Sequence, residues 1–230
     1  MYPRVLGRRI RIVAGVVLAL AVIALGAALF AITWRPSLES FPIQGIDVSE
    51  DTGPVDWFAA RRGGVDFAYA RATIGASRRD ARFAENWRAL FEADVRRGAI
   101  HVFSLCQLAG DQAANFVTTV PRSADTLPAA IALDFEPDCP ARPDRAVLIG
   151  ELSRFAGALE IHTGKPVILQ VSRAFEAHYA ISAAFNRPLW SRQPVFPPSY
   201  LARPWRMWQA SSWRRIEGAD RPVNWNVVAR

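Results

Sequence analysis

Between Ile12 and Thr33 the chain carries no charged residue. The run IVAGVVLALAVIALGAALFAIT, about 22 residues long, is enough to cross a hydrocarbon core of roughly 30 Å as one helix. It predicts a single transmembrane signal-anchor over residues 12–33. A cleaved signal peptide is the alternative, but its apolar region is typically about 7–15 residues and ends in small residues, whereas Leu29, Phe30 and Ile32 occupy that place here. A core helix of a soluble protein fits less well, because nothing polar interrupts the run. Arg4, Arg8, Arg9 and Arg11 precede the span and Arg35 alone follows closely. The positive-inside bias then makes residues 1–11 a cytoplasmic basic tail, with Trp34 as an interfacial anchor. The expected location is the inner (cytoplasmic) membrane, single-pass, with the C-terminal domain in the periplasm or outside.

The formal charge of +7 from 28 basic and 21 acidic residues invites a nucleic-acid reading. From Arg35 onward, however, 24 basic residues face 21 acidic ones. The globular part is therefore nearly balanced, and no nucleic-acid surface is required. About half of the 230 residues are apolar, which suits a single domain large enough for its own core. Cys106 and Cys139 are the whole thiol inventory; their number is compatible with one disulfide or with two buried thiols.

Residues 34–44 contain two prolines and no periodicity, and are expected to form a linker. From residue 45 short β-rich runs recur: Gly45 to Ser49, Phe67 to Thr73, Ala99 to Leu105, Ala130 to Glu136, Val167 to Ser172, Pro188 to Gln193 and Arg206 to Ser211. Helical spacing separates them, with Phe83, Trp87, Leu90, Phe91 and Val95 in one stretch and Val147, Leu148, Leu152, Phe155 and Leu159 in another. Such alternation implies parallel strands with right-handed crossovers. The expected fold is α/β, a single TIM-like β/α barrel of about eight strands over residues 45–230, the last strand coming from 218–228.

The chemistry of a β/α barrel gathers at the C-terminal ends of its strands. Polar residues there are Asp47, Asp134, Glu136, Ser172 and Gln209. Asp134 and Glu136, one residue apart on an expected strand, would share a face at about 7 Å between Cα atoms, with Phe135 turned into the helix layer. Neighbouring carboxylates repel, so that one pKa rises while the other group stays ionised. Glycoside hydrolysis uses such a split. An acidic strand end that caps a helix or pairs with arginines is the plainer alternative, and Asp47 on another strand strengthens the catalytic one.

The order GIDVS, GPVDW, FAYARAT, GAIHVF, LDFE, WQAS resembles the glycoside hydrolase family 25 lysozymes, the Chalaropsis-type N-acetylmuramidases, over residues 45 to about 228. The resemblance implies a β/α barrel that cleaves the β-1,4 bond from N-acetylmuramic acid to N-acetylglucosamine in peptidoglycan. It puts the general acid on Glu136, with Asp134 and Asp47 completing the acidic centre. Arg71, Gln170, Trp208, Gln209 and Asn224 are the expected substrate contacts. The chain departs from the family pattern at Ile74 (ATIG for ATEG), Ile100, Gln170, Ala210 and Asn224, the last replacing a carboxylate. A non-catalytic peptidoglycan-binding or scaffold protein that keeps the barrel groove is therefore the competing function.

No metal or other cofactor is expected. His101, His162 and His178 lack a zinc spacing, and His101 reads as a structural histidine beside the barrel interior. Ser172 lacks a nucleophile elbow. Because Cys106 and Cys139 follow strands expected to be neighbours, about 4.8 Å apart, a Cys106–Cys139 disulfide is predicted.

Overall fold

The computed structural model describes residues 3–230, and of residues 3–8 and Ile10 only the backbone. The chain divides into two compact units, Met1–Trp34 and Arg35–Arg230. The first is one helix, α1 (Pro3–Thr33), of which Arg11–Thr33 has a mean hydropathy of 2.8 and is long and apolar enough to cross a membrane.

The second unit alternates strands and helices until its last third. Its strands are β1 (Gln44–Val48), β2 (Phe67–Ile74), β3 (Arg78–Arg79), β4 (Arg96–Val102), β5 (Ala130–Leu133), β6 (Ile168–Ser172), β7 (Leu189–Arg192), β8 (Met207–Arg214) and β9 (Val223–Val228). The helices are α2 (Trp57–Arg62), α3 (Phe83–Glu92), α4 (Ala109–Thr119), α5 (Arg145–Thr163), α6 (Arg173–Tyr179) and α7 (Ile181–Ala184). Around the sheet the order is β1, β9, β8, β7, β6, β5, β4, β2, and pairing of β1 with β2 closes an eight-stranded barrel. β3 is a two-residue antiparallel addition to β2.

Local chemistry sets several helix ends. Asp56 caps α2 by accepting from Ala59 N at 3.0 Å, and Ser172 caps α6 by accepting from Phe175 N at 3.2 Å. Gly164, at φ +70°, closes α5 in the left-handed conformation that favours glycine. Helices α3 and α5 present Trp87 and Leu90, and Leu152, Phe155 and Leu159, to the sheet. Phe91 and Val147, expected on the same faces, are exposed.

Two strand features differ from the expected pattern. β9 runs antiparallel to both β8 and β1. A parallel partner would need a crossover of about a dozen residues or more, and only residues 215–222 join β8 to β9. β5 ends at Leu133 rather than Glu136, because Asp134 Oδ1 accepts from Phe135 N at 2.9 Å and so takes a donor that a ladder would use.

Side chains alternate along each strand. Phe67, Tyr69, Ile100, Ala130, Ala132, Ile168, Trp190 and Met207 form a buried cluster. Each large member contributes roughly 1.5–3 kcal/mol by burial. Gly98 leaves room for the Tyr69 ring, since a Cβ there would meet its Cε1 at 2.4 Å. His101, between Ile100 and Val102, faces out toward Phe116 of α4 and Phe155 of α5, which corrects its expected place beside the barrel interior. Both of its nitrogens are bonded, to Thr73 Oγ1 at 2.7 Å and Gln112 Oε1 at 3.1 Å. Gln112 Nε2 donates to Ser104 O and Gln107 O, so its Oε1 accepts, and His101 carries its proton on Nε2. Burial lowers the His101 pKa to about 4. It is a neutral structural residue at physiological pH.

Candidate active site

At the C-terminal ends of the strands lies a pocket of about 180 Å³ whose polar walls are Asp47, Ser49, Thr52, Arg71, Asp134, Gln170, Arg192, Gln209 and Asn224. Strands β1, β2, β6, β7, β8 and β9 and the residue after β5 each contribute to it. The apolar floor includes Ile100, Val102 and Ala132.

Asp47 is enclosed by protein except where it meets the pocket. Asn224 Nδ2 donates to its Oδ2 at 2.7 Å, and Asn226 Nδ2 to its Oδ1 at 2.7 Å. Asn226 cannot present its carbonyl instead, because Trp190 Nε1 donates to Asn226 Oδ1 at 3.0 Å. The buried barrel core thereby orients the group that holds Asp47. Burial raises the Asp47 pKa, and the amide hydrogen bonds from Asn224 and Asn226 and the charge of Arg192 oppose that rise.

Asp134 is held from two strands. Ser172 Oγ of β6 donates to Oδ1 at 2.7 Å, and Arg192 of β7 donates to Oδ2 at 2.6 Å. Phe135 turns the other way, into the helix layer, where its ring meets Phe175 and lies under Arg142. Glu136 falls beyond the last ladder residue, half-exposed, with its carbonyl accepting from Cys139 N. Its carboxyl makes no hydrogen bond to a described residue, and it does not line the pocket.

The expected substrate contacts separate into two groups. Arg71, Gln170, Gln209 and Asn224 all face the pocket. Arg71 is already engaged by Asp80 at 2.8 Å, Asp51 at 2.9 Å and Glu50 at 3.3 Å. Gln209 Nε2 donates to Ser212 Oγ at 2.8 Å, while its buried Oε1 has no hydrogen-bond partner. Trp208 lies on the opposite face of β8, against Phe41 and Trp205, with Nε1 donating to Gln193 O. It does not line the pocket.

Three residues of the site had no motif to announce them. Arg192 and Asn226 bond to the aspartates, and Tyr200 OH donates to Val171 O at 2.5 Å and accepts from Arg192 N at 2.9 Å, tying β6 to β7. Arg192 could have been sought as a cation ending an expected strand. A disulfide joins Cys106 to Cys139 with Cα atoms 5.8 Å apart, as predicted, and links the segments following β4 and β5. No cluster of three or more metal-ligating side chains occurs among the described residues.

A closed β/α barrel with two aspartates in a pocket at its C-terminal mouth belongs to an architecture that places enzyme sites at that face, glycoside hydrolases among them. Residues 46–219 match the model of the Glycosyl hydrolases family 25, and the chain belongs to that family. The protein YegX of Escherichia coli strain K12 is 31% identical over 195 residues, covering 82% of this chain and 70% of YegX. The structure of a family 25 glycosyl hydrolase from Bacillus anthracis superposes with a TM-score of 0.78 at 30% identity, covering 84% of this chain and 92% of the other. A bacterial lysozyme from Streptomyces coelicolor gives 0.73 at 25%, covering 81% and 91%.

Proposed function

We propose that the chain is a peptidoglycan muramidase that hydrolyses the β-1,4 bond from N-acetylmuramic acid to N-acetylglucosamine. The observation that carries the reading is the division of the carboxylates. Both oxygens of Asp47 and of Asp134 are engaged by donors, while the carboxyl of Glu136, two residues after Asp134 in the chain, has no bond to a described residue. A fixed pair of anions suits stabilisation of an oxocarbenium-like centre, and an unengaged carboxyl suits proton transfer.

In this mechanism Glu136 gives its proton to the glycosidic oxygen as the C1–O bond breaks. Asp134 and Asp47 offset the positive charge that develops at C1. Water then adds to C1 and returns a proton to Glu136, leaving a muramic acid reducing end. Gln209 Oε1, buried and unpartnered, accepts from a sugar hydroxyl or acetamido N–H, while Gln170 and Asn224 face the same glycan. Residues 12–33 anchor the chain in the inner membrane with the barrel on the outer side, where peptidoglycan lies; the expected linker 34–44 shortens to 34–43, because Gln44 begins β1.

The test is a zymogram and a soluble-muropeptide assay with the full chain in detergent on purified peptidoglycan. Clearing of the gel and release of muropeptides support the reading. Retention on peptidoglycan without release would instead identify a wall-binding protein, the function favoured by Asn224 in place of the family's acid.

A further inference from the structure

The pocket contains one basic side chain whose engagement is with the acidic centre itself. Arg71 is occupied by Asp80, Glu50 and Asp51, none of which lines the pocket. Arg192 instead bonds to Asp134 at 2.6 Å and acts electrostatically on Asp47. Its position is built. In the sheet register it pairs with Ser172 on β6 and with Gln209 on β7's other neighbour, and its backbone N–H donates to Tyr200 OH. Asp134 is therefore reached from β6, the strand beside β5, through Ser172 on one oxygen, and from β7, one strand further round, through Arg192 on the other.

The remaining groups facing this centre are neutral or acidic. The segment after β1 contributes Ser49 and Thr52, β6 contributes Gln170 and Ser172, β8 contributes Gln209, and β9 contributes Asn224 and Asn226, while Glu136 follows Asp134 in the chain outside the pocket lining. With an amide at 224, the charge balance at the pair falls to Arg192. We propose that Arg192 is a positioning residue for the reaction: its guanidinium holds Asp134 in one orientation and offsets the charge of Asp47, so that β7 sets the pH range of turnover. The proposal rests on the muramidase reading for its kinetics but not for its electrostatics.

The sign follows from the chemistry. Removing a cation near a buried carboxylate disfavours the ionised form, so the Asp47 midpoint rises and the acidic limb of kcat/KM moves to higher pH. Loss of the Asp134 clamp misplaces a charge needed in the transition state, which costs kcat more than KM.

The test compares the full chain in detergent with R192M and R192K. In R192M kcat falls about a hundredfold, KM changes less than about threefold, and the acidic limb moves up. R192K, which keeps the charge but not the fork, restores the limb and part of kcat. A folded R192M with wild-type kcat and an unmoved limb overturns the proposal, as does an R192K limb displaced as far as that of R192M. R192Q, which retains a donor without the charge, takes the place of R192M if the latter does not fold, with the same outcomes deciding. Absence of turnover in the wild type refutes the muramidase reading alone. The 13C titration of the Asp47 carboxyl then decides: a higher midpoint in R192M supports the proposal, and an equal midpoint overturns it.

Discussion

Replacing Cys106 by Ser and Cys139 by Ala removes the only disulfide among the described residues. Alanine is chosen at 139 because that side chain is buried, with 5% exposure, whereas Cys106 is exposed and tolerates a hydroxyl. The bridge closes a sequence separation of 33 residues. In the chain-entropy account, a loop of that length stabilises the native state by about 3.7 kcal/mol at 25 °C. For a unit of this size the loss corresponds to a fall in Tm of about 7–15 °C. The bridge also fixes Cys139, whose N–H donates to Glu136 O, so its loss loosens the segment that carries Glu136. Thermal unfolding followed by circular dichroism, with muropeptide release on the same samples, measures both effects. A double variant within about 2 °C of wild type would refute the reasoning.

D47N removes a buried charge whose pKa is raised by burial, opposed by the Asn224 and Asn226 hydrogen bonds and by Arg192. A raised carboxyl pKa means that the protonated form is favoured in the folded state. The stability it contributes is present below about pH 4 and lost as the pH rises through the folded midpoint. D47N is therefore at least as stable as wild type at pH 7, by an advantage that shrinks on acidification, while turnover is lost; Tm measured against pH checks this. Q209A leaves the fold intact and raises KM about threefold to tenfold, the worth of a neutral hydrogen bond, and an unchanged KM would remove Gln209 from the glycan contacts. A reporter fused after Arg230 is active only outside the cytoplasm and the mature chain keeps residues 1–33; a mature N-terminus near residue 35 would identify a cleaved signal.

The barrel was legible because its strands are short apolar runs separated by helical spacing, and the pocket because Asp47 and Asp134 sit where such strands end. The direction of β9 was also available in principle, since residues 215–222 are too few for a crossover. Trp208 and Gln209 were both expected to meet substrate, yet adjacent residues on a strand face opposite ways, and Gln209 takes the pocket side. The same alternation sends His101 outward between Ile100 and Val102. The shared strand expected for Asp134 and Glu136 failed for a local reason: the Asp134 side chain captures the next backbone N–H. Arg192, Asn226 and Tyr200 lie 58 or more residues from the acids that they support directly or through Arg192, and no spacing rule links them. Only barrel closure brings them together.

The most direct test of the account treats purified peptidoglycan with the full chain and with E136Q, reduces the products with borohydride, and identifies the reduced sugar by mass spectrometry. The amide retains the shape of the carboxyl but has no acidic proton to give. The account predicts muropeptides ending in reduced muramic acid from the wild type and a loss of about 100- to 10,000-fold in their release by a folded E136Q. Reduced glucosamine ends, or release by E136Q within threefold of wild type, would contradict it.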